Sequence, residues 1–222
     1  MQPIGFLFDL DGVLVDTAKY HFLAWKALAD ELAIPFTRQD NERLKGVSRI
    51  RSFEIILELG NRTMSSEEKT AYCEKKNELY LSFIRRLEKG EVLPGAREFL
   101  HAAKSAEIPI ALGSASKNAR FILDRLELTD LFDAIIDGTV VSAAKPDPEV
   151  FLKGADALGI PAERCIVFED SAAGIAAAHR GGMVAVGIGN SKDLPEADTW
   201  ISGFIGLTPA DICKLVPNRF IP

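Results

Sequence analysis

One stretch near the N-terminus, IGFLFDLDGVLVDT at residues 4–17, constrains the fold more than any other. Its apolar run, Ile4 to Phe8, is bounded at once by charge and glycine, which is typical of a strand buried on both faces of a parallel sheet. Asp9 and Asp11 follow two residues apart, so at the end of an extended segment their carboxylates point roughly the same way. Two like charges in a low-dielectric cleft require a cation or a shared proton, and Mg2+ takes carboxylate and carbonyl oxygens. The stretch therefore predicts a buried strand that ends in a magnesium site.

Composition and charge exclude several classes of protein. The 222 residues carry a formal net charge of −6, which disfavours nucleic acid and anionic membranes as main partners because phosphate groups are met with basic patches. No apolar run is long enough for a membrane span, and Asp9 and Asp11 interrupt any apolar signal core at the N-terminus. Cys73, Cys165 and Cys213 are widely spaced and form no CxxC motif. We therefore expect a reduced, cytoplasmic protein without a disulfide framework or a zinc site.

Residues 17–87 show the pattern of helices and no convincing strand. An amphipathic helix is predicted from Ala18 to Leu32, because apolar residues recur there at spacings of three and four. Further helices are predicted over 40–44, over 50–59 with Ser48 as its N-cap, and from Ser65 to about Leu87. The sequence thus predicts a four-helix unit inserted directly after the first strand.

From Pro94 onward, strands and helices alternate. Strands are predicted at 108–112, 134–136, 165–168, 183–187 and 199–201, and helices at 96–106, 116–126, 148–158 and 171–180. Such alternation implies parallel strands with right-handed crossovers, and the first strand must join the same sheet. The expected fold class is α/β: a doubly wound, parallel-sheet core of residues 1–16 and 90–222, with a four-helix cap domain inserted at residues 17–89.

Residues suited to phosphate chemistry follow the predicted strands. Ligands of an open parallel sheet bind outside the carboxyl ends of its strands. Ser114 follows the second strand at the start of a predicted helix, where hydroxyls, backbone N–H groups and the helix dipole bind anions. Lys145 lies between the third strand and the next helix, where Pro146 and Pro148 after it restrict the backbone, and Glu169 and Asp170 follow the fourth strand. The sequence therefore predicts an acid pair, a hydroxyl, a cation and a second acid pair at one edge of the sheet.

Each of these features also has a simpler interpretation when taken alone. Asp9 and Asp11 could be turn residues, Ser114 a helix N-cap, Lys145 a solvated lysine and the second acid pair a helix cap. Their joint placement at successive strand ends favours the site. The GIGN segment at 187–190 lacks the GxGxxG pattern and a helix directly behind it, so it does not indicate a dinucleotide loop.

The same motifs carry a family resemblance. DLDGVLVDT, the strand that ends in Ser114, Lys145-Pro146 and Glu169-Asp170 together resemble the four-motif signature of the haloacid dehalogenase superfamily. The resemblance covers essentially the whole chain and implies a Rossmann-like core with a helical cap. Three further segments resemble the sugar phosphomutases of that superfamily: TAKYHFLAWKAL at 17–28, LKGVSRIRS at 44–52 and SASKN at 114–118.

The resemblance implies a role for each core residue. Asp9 corresponds to the nucleophile that takes the phosphoryl group as an aspartyl-phosphate, and Asp11 corresponds to the general acid and base. Ser114 and Lys145 correspond to donors on the transferring phosphoryl oxygens, where positive charge accelerates the transfer. The resemblance further implies that Mg2+ is held by Asp9, Asp11, Glu169 and Asp170, with Glu169 as a ligand or just behind the ligands.

The resemblance also assigns roles in the cap. Thr17 and His21 correspond to residues that orient Asp11. Arg49 corresponds to a clamp for a second phosphate, for which its planar fork of donors is suited, with Ser116, Lys117 and Asn118 on the core side. The residues implied to line the sugar site are Trp25, Lys45, Gly46, Val47, Ser52 and Lys76. Four of the cap residues have a structural alternative, as ordinary surface or core residues of a helix: His21, Trp25, Arg49 and Lys76.

These assignments imply a Mg2+-dependent phosphomutase that moves a phosphoryl group between two positions of glucose, with β-glucose 1,6-bisphosphate as activator and intermediate. The expected partner is a small-molecule sugar phosphate, and the expected state is a monomer. A sugar-phosphate phosphatase is the second possibility, because only the phosphoryl acceptor differs; Arg49 and His21 favour the mutase. A non-catalytic phosphosugar-binding or receiver-like module is the third, and the intact Asp11 argues against it. The last residues, 217–222, are expected to be loosely held.

Overall fold

The computed structural model describes residues 3–44 and 47–216. Within these ranges the six β-strands are β1 (Gly5–Phe8), β2 (Ile110–Gly113), β3 (Ala134–Ile136), β4 (Cys165–Glu169), β5 (Val184–Ile188) and β6 (Thr199–Ile201). The α-helices of the described residues are α1 (Ala18–Glu31), α2 (Arg38–Glu42), α3 (Arg49–Leu59), α4 (Ser66–Ile84), α5 (Ala96–Ser105), α6 (Ala119–Arg125), α7 (Glu149–Leu158), α8 (Ala172–Arg180) and α9 (Pro209–Leu215). Short 3-10 turns lie at Lys89–Glu91, Thr129–Leu131 and Ala162–Arg164.

All six strands form one parallel sheet with the order β3-β2-β1-β4-β5-β6. The winding reverses at β1, which pairs with β2 on one side and with β4 on the other. Phe8 of β1 lies opposite Phe168 of β4, so Asp9 and Glu169 follow at neighbouring positions on the same sheet edge. Open parallel sheets bind ligands at such a reversal point. The predicted doubly wound α/β fold is confirmed.

The first strand is buried because apolar side chains cover both faces of the sheet. Leu7 belongs to a cluster that includes Phe151 of α7 and Ile175 of α8. On the opposite face, Phe8 stacks on Phe168 with ring centroids 4.5 Å apart. Successive strand side chains point to opposite faces, so the run GFLF serves both layers and all four of its residues are buried. The strand end that carries Asp9 is therefore fixed from above and below.

Residues Thr17–Leu87 form a separate compact unit made of α1–α4, and the other unit comprises the chain up to Asp16 and again from Glu88. The helical unit has its own apolar cluster, in which Trp25 stacks on Phe53 with ring centroids 6.1 Å apart. Helix α4 begins with a capping box of Ser65 and Glu68, and Ser48 caps α3 by accepting a hydrogen bond from Arg51 N. Local capping and an apolar stripe thus account for this unit.

The structure corrects the predicted helix over 116–126. Ser114 Oγ accepts a hydrogen bond from Ser116 N, and Ser116 Oγ accepts one from Asn118 N, each at 3.2 Å. Such side-chain turns compete with helical hydrogen bonds, so α6 begins only at Ala119. The prediction that Ser114 lies at a helix start is wrong, because a loop of serine turns separates it from the helix.

Smaller differences concern helix ends and one unpredicted helix. Helix α2 lies two residues earlier than predicted, and α4 ends at Ile84. Helix α9 was not predicted, although Thr208, Pro209 and Asp211 form a capping box with proline in the first turn. Residues 217–222 lie outside the described residues. Among those described, no helix has the length and apolar character needed to cross a membrane.

The aromatic layer on the Phe8 face of the sheet gives a stability prediction. Phe99 of α5 is 1% exposed and lies with its ring centroid 4.9 Å from that of Phe204. Phe99→Ala should lower the free energy of unfolding by about 3–5 kcal/mol, because it leaves a cavity in a packed core. Urea denaturation measures this, with Phe121→Ala as the control, since Phe121 is 36% exposed. Equal effects of the two substitutions would contradict the assigned core.

Candidate active site

The ammonium of Lys145 joins the ends of two neighbouring strands. Its Nζ donates hydrogen bonds to Asp9 Oδ1 and to Glu169 Oε1, both at 2.6 Å. All three side chains are buried, with exposed fractions of 6% for Lys145, 11% for Asp9 and 1% for Glu169. The Nζ also lies 4.6 Å from the ring centroid of Phe151. Three segments distant in sequence thus meet at one buried, charge-paired cluster.

Glu149 anchors the loop that carries Lys145. Glu149 Oε2 accepts hydrogen bonds from Ser142 N, Ser142 Oγ and Ala143 N at 2.8–2.9 Å. A hydrogen bond from Lys153, followed by those from the loop, lowers the pKa of Glu149 to about 2. The peptide bond between Lys145 and Pro146 is cis. The first turn of α7 therefore holds the loop two residues before Lys145 in place.

Ser171 positions the second acidic partner of Lys145. Glu169 Oε2 accepts hydrogen bonds from Ser171 N at 2.9 Å and Ser171 Oγ at 2.8 Å. Ser171 is also the N-cap of α8, where its Oγ accepts from Gly174 N at 3.1 Å. The carboxylate of Glu169 is therefore held at both oxygens, by Lys145 on one side and by a helix N-terminus on the other.

A sharp turn after Asp11 brings Asp170 to the same place. Gly12 N donates to Val15 O at 2.8 Å, and Gly12 has a φ of +82°. A Cβ at Gly12 would lie 2.0 Å from Asp170 Oδ2. Glycine suits this position because it tolerates the positive φ and leaves room for the carboxylate. Asp170 thus lies against the backbone that directly follows Asp11.

Burial and three neighbouring carboxylates shift the pKa of Asp9 in one direction, and Lys145 shifts it in the other. Burial raises the pKa of the Asp9 carboxyl well above its ordinary value, the ammonium of Lys145 opposes this, and Glu169, Asp11 and Asp170 raise it further. Burial disfavours the ammonium of Lys145, but Asp9 and Glu169 outweigh that effect and raise its pKa. Lys145 therefore stays charged and is the group that favours an ionised Asp9.

The same neighbourhood contains an excess of negative charge. Of the charged groups that shift the pKa of Asp9, three are carboxylates and one is an ammonium. An oxygen-only donor set with surplus negative charge suits a hard divalent cation such as Mg2+. In the part of the chain that the structure describes, no three His, Cys, Asp or Glu side chains are grouped as a metal site. The residues fit Mg2+ by their chemistry and charge.

The structure bears on the two roles predicted for Glu169, as a metal ligand or as a residue just behind the ligands. Lys145 donates to one of its oxygens and Ser171 donates to the other. These contacts favour the second role, in which Glu169 holds Lys145. The sequence cannot distinguish these roles, because the partner of Glu169 lies 24 residues earlier in the chain.

The loop after β2 presents Ser114 at the same sheet edge. Ser114 is 1% exposed and its N–H donates to Ile136 O at the end of β3 at 3.0 Å. The loop continues through a half-buried Ser116, an exposed Lys117 and a half-buried Asn118, which precedes α6. Gly138 N donates to Ser116 O at 3.2 Å and ties the loop to the segment after β3.

In the helical unit, His21 and Lys76 form a polar pair within an aromatic surrounding. Lys76 Nζ lies 2.7 Å from His21 Nδ1, 5.0 Å from the ring centroid of Trp25 and 4.7 Å from that of Tyr80. Burial, followed by the charges of Lys76 and Arg49, lowers the pKa of His21 well below its ordinary value. In its neutral form His21 can accept a hydrogen bond from Lys76 at Nδ1 when its proton is on Nε2.

The other predicted residues of the helical unit differ in their surroundings. Arg49 Nη2 donates to Asn77 Oδ1 at 2.9 Å, so α4 orients the guanidinium at the start of α3. Trp25 and Ser52 are buried in the unit, Val47 is 40% exposed, and Thr17 is buried just before α1. Lys45 and Gly46 lie outside the described residues.

Sequence reasoning missed the residues that hold the reactive groups in place. A glutamate in the first turn after Pro148 and a serine before an alanine-rich helix are ordinary capping signals, and only the structure assigns them to Lys145 and Glu169. Asn77 carries no local signal at all, because its partner is 28 residues away.

Comparisons with known proteins agree with this geometry. A family model described as haloacid dehalogenase-like hydrolase matches residues 5–182. A β-phosphoglucomutase of Bacillus subtilis is 44% identical over 86% of both chains. A protein of Thermotoga maritima named phosphorylated carbohydrates phosphatase is 32% identical over 80% of this chain and 81% of its own. The crystal structure of a β-phosphoglucomutase from Clostridium difficile matches with a TM-score of 0.92 and 39% identity, and the match covers all of both chains.

The anchoring role of Glu149 gives a pH-dependent prediction. Because its pKa is lowered to about 2, its contribution to stability is complete above its ordinary value of 4.5 and is lost as pH falls through about 2. Glu149→Gln should therefore lower the melting temperature at pH 7, and the difference from wild type should shrink between about pH 4.5 and pH 2. Turnover should also fall several-fold, because the Lys145 loop loses its anchor.

Thermal unfolding at several pH values and steady-state kinetics measure these effects. Glu163→Gln is the matched control, because Glu163 is an exposed glutamate in the first turn of a 3-10 helix. A melting-temperature difference that stays constant down to pH 2, or wild-type turnover in Glu149→Gln, would refute the anchoring role.

Proposed function

The chain belongs to the haloacid dehalogenase-like hydrolase family, and from that premise we propose that it acts as a β-phosphoglucomutase. In this reaction β-D-glucose 1-phosphate and D-glucose 6-phosphate interconvert. The observation that carries the proposal is the buried carboxyl group of Asp9, to which Lys145 Nζ donates a hydrogen bond at 2.6 Å. A buried carboxyl group that is paired with an ammonium at the switch point of a parallel sheet is a nucleophile placed where a ligand binds.

We assign the covalent step to Asp9. Since Lys145 holds Oδ1, Oδ2 attacks one phosphorus of glucose 1,6-bisphosphate, the bond from that phosphorus to the sugar oxygen breaks, a glucose monophosphate leaves, and an aspartyl-phosphate forms. In the reverse direction a sugar hydroxyl attacks this aspartyl-phosphate and releases the carboxylate. Glucose 1,6-bisphosphate is thus formed from one glucose monophosphate and consumed to give the other. The number of phosphoryl groups is therefore unchanged over the cycle. Asp9 serves as a carrier between the two positions of the sugar.

Asp11 supplies the proton transfers. It gives a proton to the sugar oxygen that leaves and takes one from the sugar hydroxyl that attacks. Gly12 fixes the turn that follows Asp11, so the carboxyl is presented from a defined backbone.

Positive charge at the transferring group comes from Lys145, and Ser114 adds a hydroxyl donor. Phosphoryl transfer depends mainly on positioning the reacting groups and on stabilising the charge on the oxygens of the transferring phosphoryl group. Asp9, Asp170 and the backbone carbonyl of Asp11 are the residues that would hold Mg2+, which when bound would offset negative charge between the carboxylates and the phosphate. Magnesium dependence is typical of the family.

In this proposal the helical unit determines that a sugar hydroxyl, and not water, accepts the phosphoryl group. Arg49, oriented by Asn77, binds the phosphate that is not being transferred, and Ser116, Lys117 and Asn118 of the core are assigned to the same phosphate. His21, Lys76 and the residues around them bind the sugar. A hydrolase uses water as the phosphoryl acceptor, so it has less need of a residue that binds a second phosphate. We place the enzyme in the cytoplasm, as its widely spaced cysteines led us to expect, and we propose that it is a monomer.

A sugar-phosphate phosphatase is the second candidate, because the Thermotoga maritima relative carries such a name and a phosphatase would use the same first half-reaction. A product assay separates the two. The protein is incubated with β-glucose 1-phosphate, Mg2+ and a trace of β-glucose 1,6-bisphosphate, and glucose 6-phosphate and free phosphate are read in parallel.

Glucose 6-phosphate should form with little free phosphate, and Asp9→Asn should form neither product, because the amide cannot carry the phosphoryl group. Free phosphate without glucose 6-phosphate would make the protein a phosphatase. Substantial turnover by Asp9→Asn would exclude the covalent intermediate.

Arg49 gives a second test. Arg49→Ala should lower the formation of glucose 6-phosphate at least about tenfold while release of free phosphate falls much less, because one charge-assisted phosphate contact is worth about 1.5–3 kcal/mol. Arg51→Ala is the matched control on the same helix, since Arg51 is half exposed and pairs with Glu58 at 2.6 Å. Equal losses of both activities in Arg49→Ala would show that the residue does not discriminate between acceptors.

A further inference from the structure

The carboxylate of Glu169 occupies the space that a side chain at Gly174 would fill. A Cβ built at Gly174 would lie 1.8 Å from Glu169 Oε1, 1.9 Å from Cδ and 2.5 Å from Oε2. No rearrangement of a few tenths of an ångström relieves such an overlap, because every atom of the carboxyl group is involved. Gly174 is buried in the first turn of α8, and it carries no positive φ that would require glycine for its backbone. Gly174 therefore leaves the space that the carboxylate of Glu169 occupies.

Glu169 has little freedom to move aside. Its Oε2 is fixed by Ser171 N and Oγ, and its Oε1 accepts from Lys145. The side chain is 1% exposed, so a displaced carboxylate would be forced into apolar surroundings or away from the lysine. Lys145 in turn has only 6% of its side chain exposed and donates to Asp9. A change at Gly174 is thus transmitted through two hydrogen bonds to Asp9.

We propose that Gly174 is a positioning residue for phosphoryl transfer. By leaving the volume that the carboxylate of Glu169 occupies, Gly174 sets the position of Lys145 at Asp9. The inference rests on the proposed phosphoryl chemistry of Asp9 and adds a residue that touches neither substrate nor Asp9. It explains why a residue that disfavours helices stands inside a helix of nine residues.

The alternative is that Gly174 only allows close packing around α8, or that the residue at this position does not affect activity. Alanine is the better helix former, so on helix propensity alone Gly174→Ala would leave the protein equally or more stable and fully active. Another glycine on the same element supplies the matched control. Gly181 ends α8, and a Cβ there would meet its nearest neighbour, Ala178 O, at an ordinary 3.4 Å.

The first measurement is steady-state kinetics of Gly174→Ala and Gly181→Ala. Displacing a catalytic group by about 1 Å costs on the order of 100-fold, so kcat of Gly174→Ala should fall by about that factor while KM changes less than about threefold. Gly181→Ala should stay within about twofold of wild type. Urea denaturation checks that both variants are folded. Wild-type kcat in a folded Gly174→Ala would overturn the proposal.

A rescue experiment separates positioning from general damage. Glu169→Asp shortens the carboxylate arm by one methylene and vacates the space next to residue 174. Glu169→Asp will itself lower kcat, but adding Gly174→Ala to it should cost less than about threefold, because residues that act through one another are not additive. If Gly174→Ala costs the same factor in the wild-type protein and in the Glu169→Asp variant, its effect does not pass through Glu169 and the inference is wrong.

Crystal structures of wild type and Gly174→Ala provide a readout that does not depend on the sugar. The distance from Lys145 Nζ to Glu169 Oε1 should lengthen beyond hydrogen-bonding range in the variant, and an unchanged distance would refute the inference. Failure of the proposed function looks different: wild type would release phosphate, or act on another sugar phosphate, without making glucose 6-phosphate. In that case the same comparison of variants is run on the activity found.

Discussion

A buried ammonium between two buried carboxylates is the interaction on which the rest of the core unit depends. Lys145 lies within 2.6 Å of both Asp9 and Glu169, and the three groups come from the end of β1, the end of β4 and the loop before α7. Charges this deeply buried are tolerated only when they are paired, and removing one partner typically costs about 3–5 kcal/mol. The pairing therefore fixes the relative position of three chain segments.

The sheet provides the frame for this cluster, and short local contacts complete it. Pairing of β1 with β4 places Asp9 beside Glu169, and Gly12 admits the carboxylate of Asp170 against the turn after Asp11. Glu149 ties down the loop of Lys145 and Ser171 holds Glu169. Neither Gly12, Glu149 nor Ser171 is itself a reactive group. Together they keep charged groups oriented before a substrate binds, which is the arrangement that favours phosphoryl transfer.

The helical unit is built on a different principle. Its cationic Lys76 is surrounded by the rings of Trp25 and Tyr80 and by a neutral His21, so the charge is held by ring faces and a ring nitrogen. Arg49 adds a second cation, oriented by Asn77. A unit that holds cations within an apolar, aromatic interior is well matched to a phosphorylated sugar. The sugar ring can stack on aromatic side chains, and the phosphate can pair with cations. This match supports the assignment of substrate binding to these helices.

The sequence by itself determined the α/β class, the parallel order of strand and helix, the helical insertion after the first strand, and the family. These follow from periodicities and motifs that lie within a few residues of each other, as in Asp9 with Asp11 or Glu169 with Asp170. Only the tertiary structure decided which partner each charged group takes: Glu169 holds Lys145, serine turns delay α6, and Gly174 makes room for a carboxylate. The physical reason is that these partners are brought together by the strand order and by the packing of helices on the sheet. Contacts between residues 24 or 136 positions apart leave no local pattern in the chain.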